Sequence, residues 1–440
     1  MRPVGNRDTA GVTEVRTLET VPIRSRPLLA PINTEEQKQR FLHHGHLPKF
    51  NLRGSEERVQ GAMRTKVAQI KFDHFPEAKK ILETVREKFG DEDRLVEAAF
   101  GPLIDQTEAT HMVSQYLVEH GVDGMLKILW SGDLNCSGRM QWRGPAQKYN
   151  RPELRRYSLW LQNTAENMYL RQHGIKCLVD HEVGTHFFRM LNDGFQPWYS
   201  NRDGFGLRSC RSWEAIAIEE GLATVNTMLQ AKVKYLWVPA LLYYASCMST
   251  EMSFSDLFQH LETFINDVHQ RWKIVMRDQC WPGRTWQGSG TIIGSCQEGL
   301  CLQLMPCFTG AVEILRNLEV IDFHLLYSGK VCIDELPRIR RLARRDCIKL
   351  PHFLLDQEAY RKKLRQMAAV NNIASPHRRN ETKKASAVSK QRAGNMSRKF
   401  SLSVPNLKNV PEPPKKILLN RRKAAPNVLT YSRKYQYVSG

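Results

Sequence analysis

The stretch His181-Glu182-Val183-Gly184-Thr185-His186 places two imidazole rings and a carboxylate within six consecutive residues. Around it, apolar and polar residues alternate at helical spacing over residues 175–190, and Asn192-Asp193-Gly194 has the composition of a helix end. Two histidines and a neighbouring carboxylate on one helix are typical of zinc sites in peptidases. The stretch therefore predicts a zinc-binding helix with His181 and His186 as ligands.

The spacing of the two histidines is unusual. They are five residues apart, whereas the familiar zinc-peptidase motif separates them by four. On an ideal α-helix a separation of five residues turns the side chains about 140° apart, too far for one ion with Zn–N distances near 2.0–2.1 Å. A π-type turn would bring the rings back toward one face. Because Gly184 supplies backbone freedom, we predict a widened turn at Gly184.

A third protein ligand is expected, because catalytic zinc usually has three protein ligands and one open position. Residues 213–223 have the pattern of a second helix and include two adjacent carboxylates, Glu219 and Glu220, either of which is a candidate. Glu220 is favoured because it directly precedes Gly221, as the ligand glutamate does in aminopeptidases whose zinc helix is followed by a glutamate helix. In that arrangement Glu182 is a general base for zinc-activated water.

These motifs together resemble the microtubule-associated tyrosine carboxypeptidase family. The resemblance rests on residues 181–189, 192–197 and 219–223, and it extends over about residues 72–354. Members of that family are zinc peptidases that remove the C-terminal tyrosine of α-tubulin. The resemblance implies that the partners are the α-tubulin C-terminal tail and microtubules, and that the location is the microtubule cytoskeleton.

Carried over by position, the resemblance implies that His181, His186 and Glu220 bind Zn²⁺ and that Glu182 is the catalytic acid and base. Arg189, one turn past His186, is a candidate for orienting a ligand carboxylate or for binding the terminal carboxylate of a peptide. A plain surface arginine is an equal alternative.

Two other functions remain open at this point. The motif alone does not say which end of a peptide is cut, so an aminopeptidase or endopeptidase is an alternative. In addition, residues 294–301 and Met305-Pro306-Cys307 depart from the family's pattern, which has a Lys-Asp pair and an aromatic-rich turn there. A chain without turnover would be a microtubule-binding scaffold, and bound zinc with no released tyrosine would identify it.

The composition predicts a soluble protein, because 41% of its 440 residues are hydrophobic and 25% are charged. No apolar core follows Arg2, so no signal peptide is expected. The longest apolar run, residues 236–248, contains Pro239 and is too short to span a bilayer, which predicts a buried helix. Ten cysteines without any Cys-x-x-Cys pair indicate reduced thiols. We therefore predict a cytoplasmic protein without a membrane segment.

The fold class predicted is α+β: a mostly helical, zincin-like peptidase domain with a small mixed sheet over residues 31–370. Residues 1–30 and 375–440 are predicted to be disordered extensions. The second of these has 16 Lys and Arg against 2 Glu, which is most of the net charge of +20. Such a tail binds polyanions, but its aromatic residues are few, so nucleic acid is disfavoured as a partner. The sequence does not decide the oligomeric state.

The coarse pattern of elements is mostly helical. Residues 125–130 and 139–143 are predicted to form a β-hairpin, the second strand being a candidate edge strand for aligning an extended substrate. Helical structure is expected to resume at Pro152 and to continue through Leu170. Further helices are predicted at residues 33–43, 76–89, 105–119, 253–272, 311–317, 333–344 and 357–370.

Overall fold

Helices make up most of the folded chain. The computed structural model describes residues 32–51, 70–134, 136–279 and 300–374, so both predicted disordered extensions lie outside the described residues. In order, the helices are α1 (Thr34–His44), α2 (Phe75–Phe89), α3 (Glu92–Phe100), α4 (Gln106–Glu119), α5 (Gly174–His181), α6 (Phe188–Asp193), α7 (Trp213–Thr227), α8 (Trp237–Met248), α9 (Phe254–His260), α10 (Val268–Gln279), α11 (Leu300–Asn317), α12 (Phe323–Leu326), α13 (Leu336–Ile339) and α14 (Gln357–Val370).

Local signals at the helix ends explain several of these bounds. The Asp91 and Ser212 side chains accept hydrogen bonds from backbone N–H groups in the first turns of α3 and α7. Gly45 ends α1 in the left-handed conformation, at φ 66°. The predicted helices near α1, α2, α4, α8 and α14 are confirmed within two residues. In the described part of the chain, no helix is both long and apolar enough to cross a membrane.

The sheet has three strands, β1 (Leu126–Ser131), β2 (Gly138–Arg143) and β3 (Arg156–Gln162). Their order is β1-β3-β2, with β1 parallel and β2 antiparallel to β3, so the sheet is small and mixed as predicted. Tyr157, Leu159 and Leu161 of β3 are buried, and this alternation places one face of the central strand against the helices.

Two predictions about this region are wrong. The segments at 125–130 and 139–143 are strands, but they do not form a hairpin, because β3 lies between them and pairs with both. Helical structure does not resume at Pro152 either: after one short 3₁₀ turn the chain enters β3. The period-2 alternation of Tyr157, Leu159 and Leu161 is the signal that identifies the strand.

Two further helices are shorter than predicted. The helix expected at 253–272 is divided into α9 and α10, because the buried Glu92 carboxylate accepts hydrogen bonds from the backbone N–H groups of Asn266 and Asp267 just before α10. The helix expected at 333–344 is a 3₁₀ turn followed by α13. Beyond α13 the chain bends so that the Arg344 N–H donates to the Gln196 side chain.

The helix that contains the adjacent glutamates packs unusually close to α11. A Cβ atom on Gly221 would lie 2.2 Å from the backbone carbon of Gly310, and one on Gly310 would lie 1.7 Å from the Ala217 oxygen. Real Cβ contacts do not reach such distances, so both positions require glycine. This backbone contact sets the position of α7, and therefore of Glu219 and Glu220, against the rest of the core.

Candidate metal centre

The two histidines of the opening motif lie on a helix with a widened turn. Glu182–Phe187 form a π-helical segment between α5 and α6, which confirms the prediction of a widened turn at Gly184. As a result the rings of His181 and His186 face each other, with centroids 5.0 Å apart.

The reason for a glycine at position 184 differs from the one the sequence suggested. A Cβ atom there would lie 2.7 Å from Phe353 Cε1 and 2.8 Å from the Tyr116 hydroxyl. Gly184 is therefore required by close packing, since the backbone of this turn is ordinary right-handed helix.

A buried polar network supports the π turn. Tyr327 donates a hydrogen bond to the Gly184 carbonyl at 2.9 Å. Asn226 of α7 donates to Thr185 at 2.8 Å and to the Tyr327 hydroxyl at 2.9 Å, while Tyr360 of α14 donates to Asn226 at 2.7 Å. Because a widened turn leaves backbone groups without their usual partners, such external donors stabilise it. The sequence analysis missed these residues, which are distant in sequence.

The predicted ligands come together. His181, His186 and Glu220 each offer a ligand atom within 4.8 Å of the other two, and His186 Nε2 lies 3.9 Å from Glu220 Oε2. Ligand atoms around a tetrahedral ion at about 2.0–2.1 Å lie roughly 3.4 Å apart, so the observed spacing needs only a small inward rotation. Of the two adjacent glutamates, Glu220 is therefore the one that faces the cluster.

Hydrogen bonds fix both imidazole rings in the tautomer that a metal requires. His181 Nδ1 is 2.9 Å from the Thr227 hydroxyl, and that hydroxyl donates its own proton to the Ala223 carbonyl. The hydroxyl can therefore only accept from His181, which places the proton on Nδ1. His186 Nδ1 lies 2.8 Å from Glu219 Oε1 and donates to that carboxylate. In the neutral form of each ring Nε2 is then the acceptor, so the donor set N, N, O fits zinc.

Glu219 supports the cluster from behind. Besides His186 it contacts the guanidinium of Arg189, whose side chain is only 1% exposed, and Lys330 Nζ at 3.3 Å. Arg189 is thus a buried partner of a carboxylate, and the alternative of a plain surface arginine is wrong. Burial alone would raise the pKa of Glu219, but Arg189, Lys330 and His186 together hold that pKa far below its usual range.

The histidines differ in their pKa. Desolvation, with the nearby His186, lowers the pKa of His181 to about 3, so this ring is neutral. Burial also opposes the charged form of His186, but the carboxylates of Glu220, Glu219 and Glu182 outweigh it and raise its pKa to about 9. An excess of negative charge therefore surrounds His186, as expected where a cation binds.

Glu182 is held beside the cluster under strand β2. It is buried, with 5% exposure, and this burial raises its pKa to about 7. The backbone of Met140 in β2 hydrogen-bonds to its carboxylate. A Cβ atom on Gly138 would lie 3.1 Å from Glu182 Cγ, so glycine allows the strand to pass this closely. A carboxyl group with a pKa near neutrality is suited to proton transfer.

An apolar cavity of about 150 Å³ opens beside His181. Its lining includes Phe100, Tyr169 and Trp237, with Thr224 and Cys307 as polar members. Cys307 belongs to the stretch that departs from the family's pattern, and its Sγ lies 4.0 Å from Glu220 Oε2. The end of that stretch thus lies at the cluster, while residues 294–299 fall outside the described residues.

Comparison with known proteins identifies relatives over 78% of the chain. No family model matches the chain. Microtubule-associated tyrosine carboxypeptidase 1 of Homo sapiens is 31% identical over 352 residues, which cover 78% of this chain and 68% of that protein. The Rattus norvegicus and Mus musculus proteins of the same name are 30% and 29% identical over 351 residues. The chain belongs to the microtubule-associated tyrosine carboxypeptidase family.

Membership confirms the resemblance seen in the sequence, but it does not by itself assign a metal or a base. Among solved structures, "The crystal structure of the putative lipoprotein from Colwellia psychrerythraea" is matched over 79% of this chain and 57% of that one, at 12% identity and a TM-score of 0.36. A likeness this slight carries no argument about the fold. The helices and the small mixed sheet establish the mostly helical α+β class, and its zincin-like character stays a prediction.

Proposed function

We propose that this protein is a zinc-dependent carboxypeptidase that removes the C-terminal tyrosine of α-tubulin, acting in the cytoplasm on microtubules. The observation that carries the proposal is the convergence of His181, His186 and Glu220 within 4.8 Å. It occurs in a chain about 30% identical to proteins named tyrosine carboxypeptidases.

The proposed chemistry assigns one role to each side chain. When bound by His181, His186 and Glu220, zinc would supply Lewis acidity that activates water and polarises a carbonyl. Glu182 takes the proton from the attacking water and returns it to the amine that leaves. Its buried carboxylate lies beside the cluster, where it can make both transfers.

Two features around the cluster are consistent with an extended peptide that ends in an aromatic residue. Strand β2 is at the edge of the sheet and passes directly over Glu182, so its outer side is available to align a peptide by backbone pairing. The cavity beside His181 has about the volume of an engineered cavity, roughly 150 Å³, that binds benzene. The volume is therefore enough for one aromatic ring.

The surface beyond α13 favours an acidic partner. Five arginines are exposed in α13 and just after it, Arg338, Arg340, Arg341, Arg344 and Arg345. The C-terminal segments of tubulin are acidic, so this surface and the basic tail at 375–440 would both attract them.

The test is incubation of the purified, zinc-loaded chain with tubulin, followed by measurement of free tyrosine by mass spectrometry. We expect one tyrosine per α-tubulin and no other product. Glu182→Gln is the matched control, since it should abolish release while the protein keeps about one zinc per chain. Release of an N-terminal residue or of internal fragments would identify an aminopeptidase or endopeptidase, and bound zinc without any product would identify a scaffold protein.

A further inference from the structure

A lysine stands at the edge of the metal cluster. Lys330 lies between α12 and α13, and its Nζ is 3.3 Å from Glu219 Oε1. Its side chain is 31% exposed, whereas that of Glu219 is 6% exposed. The side chain is therefore partly exposed, while its ammonium group contacts a buried carboxylate of the site.

The main chain around Lys330 is held by two arginines of the site. Arg189 donates hydrogen bonds to the carbonyls of Gly329 and Val331, at 3.1 and 2.9 Å. Arg202 donates to the carbonyl of Lys330 itself at 2.7 Å. Three consecutive carbonyls are thus fixed from the zinc helix and the loop after it. A side chain on such a segment is positioned in advance of binding, as a recognition group must be.

Once a metal is bound, no negative charge of the site is left to balance the positive charge of Lys330. The buried guanidinium of Arg189 already balances Glu219. The two remaining carboxylates of the site, Glu182 and Glu220, balance a divalent cation. The site with its metal and Lys330 therefore has one positive charge in excess. A single anionic group of a ligand would neutralise that charge.

Lys330 lies close to the proposed metal ligands, near enough to Glu220 for the charge of each to shift the pKa of the other. Lys330 Nζ and His186 Nδ1 contact the same oxygen of Glu219, at 3.3 and 2.8 Å, so these two nitrogens are at most about 6 Å apart. In a carboxypeptidase substrate the terminal carboxylate lies one residue beyond the bond that is cut, and one residue spans about 3.8 Å. A lysine this close to a metal ligand can reach it.

Resting on the proposed function, we propose that Lys330 binds the α-carboxylate of the substrate's last residue and so restricts cleavage to chain ends. The other cations near the cluster are less suited. Arg189 and Arg202 are almost fully buried and already donate to carboxylates and carbonyls. Arg139, exposed on β2, is the competing candidate, because it is close enough to Glu182 to influence its pKa.

The experiment compares two substrates that differ only at the terminal group: a peptide ending in tyrosine with a free carboxylate, and the same peptide ending in tyrosinamide. We expect the wild-type protein to cleave the acid at least about 100-fold faster, in kcat/KM, than the amide. Lys330→Met should lower kcat/KM for the acid about 10- to 100-fold and leave the slow cleavage of the amide within about threefold. Lys330→Arg should keep most of the preference, since it retains the charge.

Matched variants separate recognition from a structural role. Lys80→Met replaces an exposed lysine of α2 and should leave kcat/KM unchanged for both peptides. Lys330→Gln keeps a donor for Glu219 and serves if the Met variant is unstable. Zinc content and melting temperature should remain close to wild type in each.

Three outcomes would overturn the inference. The first is that Lys330→Met lowers cleavage of the acid and of the amide equally, as a purely structural role would. The second is that Lys330→Met keeps the full preference for the acid, and the third is that this preference disappears in Arg139→Met, which would assign recognition to β2. A wild-type protein that releases no C-terminal residue from either peptide would contradict the proposed function itself. Thermal protection tests the inference separately, because a carboxylate bound at Lys330 should raise the melting temperature more with free tyrosine than with tyrosinamide. Equal melting temperatures with the two compounds would contradict the inference.

Discussion

Replacing Glu219 by glutamine tests whether this residue holds the cluster without being a ligand. Its carboxylate accepts from His186 Nδ1 at 2.8 Å, contacts Arg189 and lies 3.3 Å from Lys330. Glutamine has the same shape and keeps an acceptor oxygen, but it removes the negative charge. Two cations then lose their main partner, and the His186 ring loses a strong orienting acceptor.

The expected effects follow from these contacts. Removing the partner of a buried charge typically costs 3–5 kcal/mol, and we expect about 3 kcal/mol because Arg189 keeps its bonds to backbone carbonyls and Lys330 is partly exposed. Loss of a carboxylate behind a histidine ligand typically weakens metal binding about 10- to 100-fold. Glu220→Gln, which alters a proposed ligand, should weaken it much further.

Two measurements check this reasoning. Denaturant unfolding in the presence of a chelator gives the free energy of unfolding, and competition with a chromophoric chelator gives the zinc affinity. Since the pKa of Glu219 is lowered in the fold, its stabilising effect is complete above the ordinary value of 4.5 and is lost as the pH falls below it, so wild type and variant should converge in acid. Glu214→Gln, at an exposed position of the same helix, is the control. Zinc affinity unchanged within twofold in Glu219→Gln would refute the orienting role.

Three other predictions concern the helix contact, the protonation of the site and the tail. Gly221→Ala places a methyl group 2.2 Å from the Gly310 backbone, so it should lower the free energy of unfolding by about 1–3 kcal/mol and weaken zinc binding. An unchanged denaturant midpoint would contradict this prediction. Because the pKa of metal-free His186 is about 9, protons compete with zinc, and the measured affinity should rise about tenfold per pH unit from pH 6 to 8; a flat profile above pH 7 would contradict it. Deleting residues 375–440 should weaken co-sedimentation with microtubules and flatten its salt dependence while cleavage of a short peptide is unchanged, whereas equal pelleting at every salt concentration would remove the tail from targeting.

Local rules predicted the parts of the fold that depend on local interactions. The i to i+5 spacing of His181 and His186 excludes a regular α-helix around one ion, and the π turn follows from geometry alone. The order of the strands is different, because it depends on β3 inserting between two segments that are near each other in sequence. Nothing in residues 125–143 specifies that insertion.

The supporting residues of the site were unpredictable for a related reason. Tyr327 and Asn226 contact the π turn, and Lys330 contacts Glu219 of α7, from segments up to about 140 residues away, and each is an ordinary residue in its local context. Thr227 has a weak sequence signal, since it lies seven residues after Glu220 and hence on the same face of α7. Long-range packing against this helix, which the Gly221–Gly310 contact fixes, decides which of these groups meet the histidines.

The adjacent glutamates illustrate how one helix turn can perform two tasks. Consecutive residues on an α-helix point about 100° apart, so Glu219 and Glu220 cannot both face one ion. His186 contacts both, with Nε2 toward Glu220 and Nδ1 toward Glu219. The oxygen of Glu219 that accepts from His186 is also the oxygen nearest Lys330. A carboxylate bound at Lys330 would therefore lie one hydrogen bond away from the back of a metal ligand, so recognition of the chain end and orientation of the ligand would depend on the same side chain.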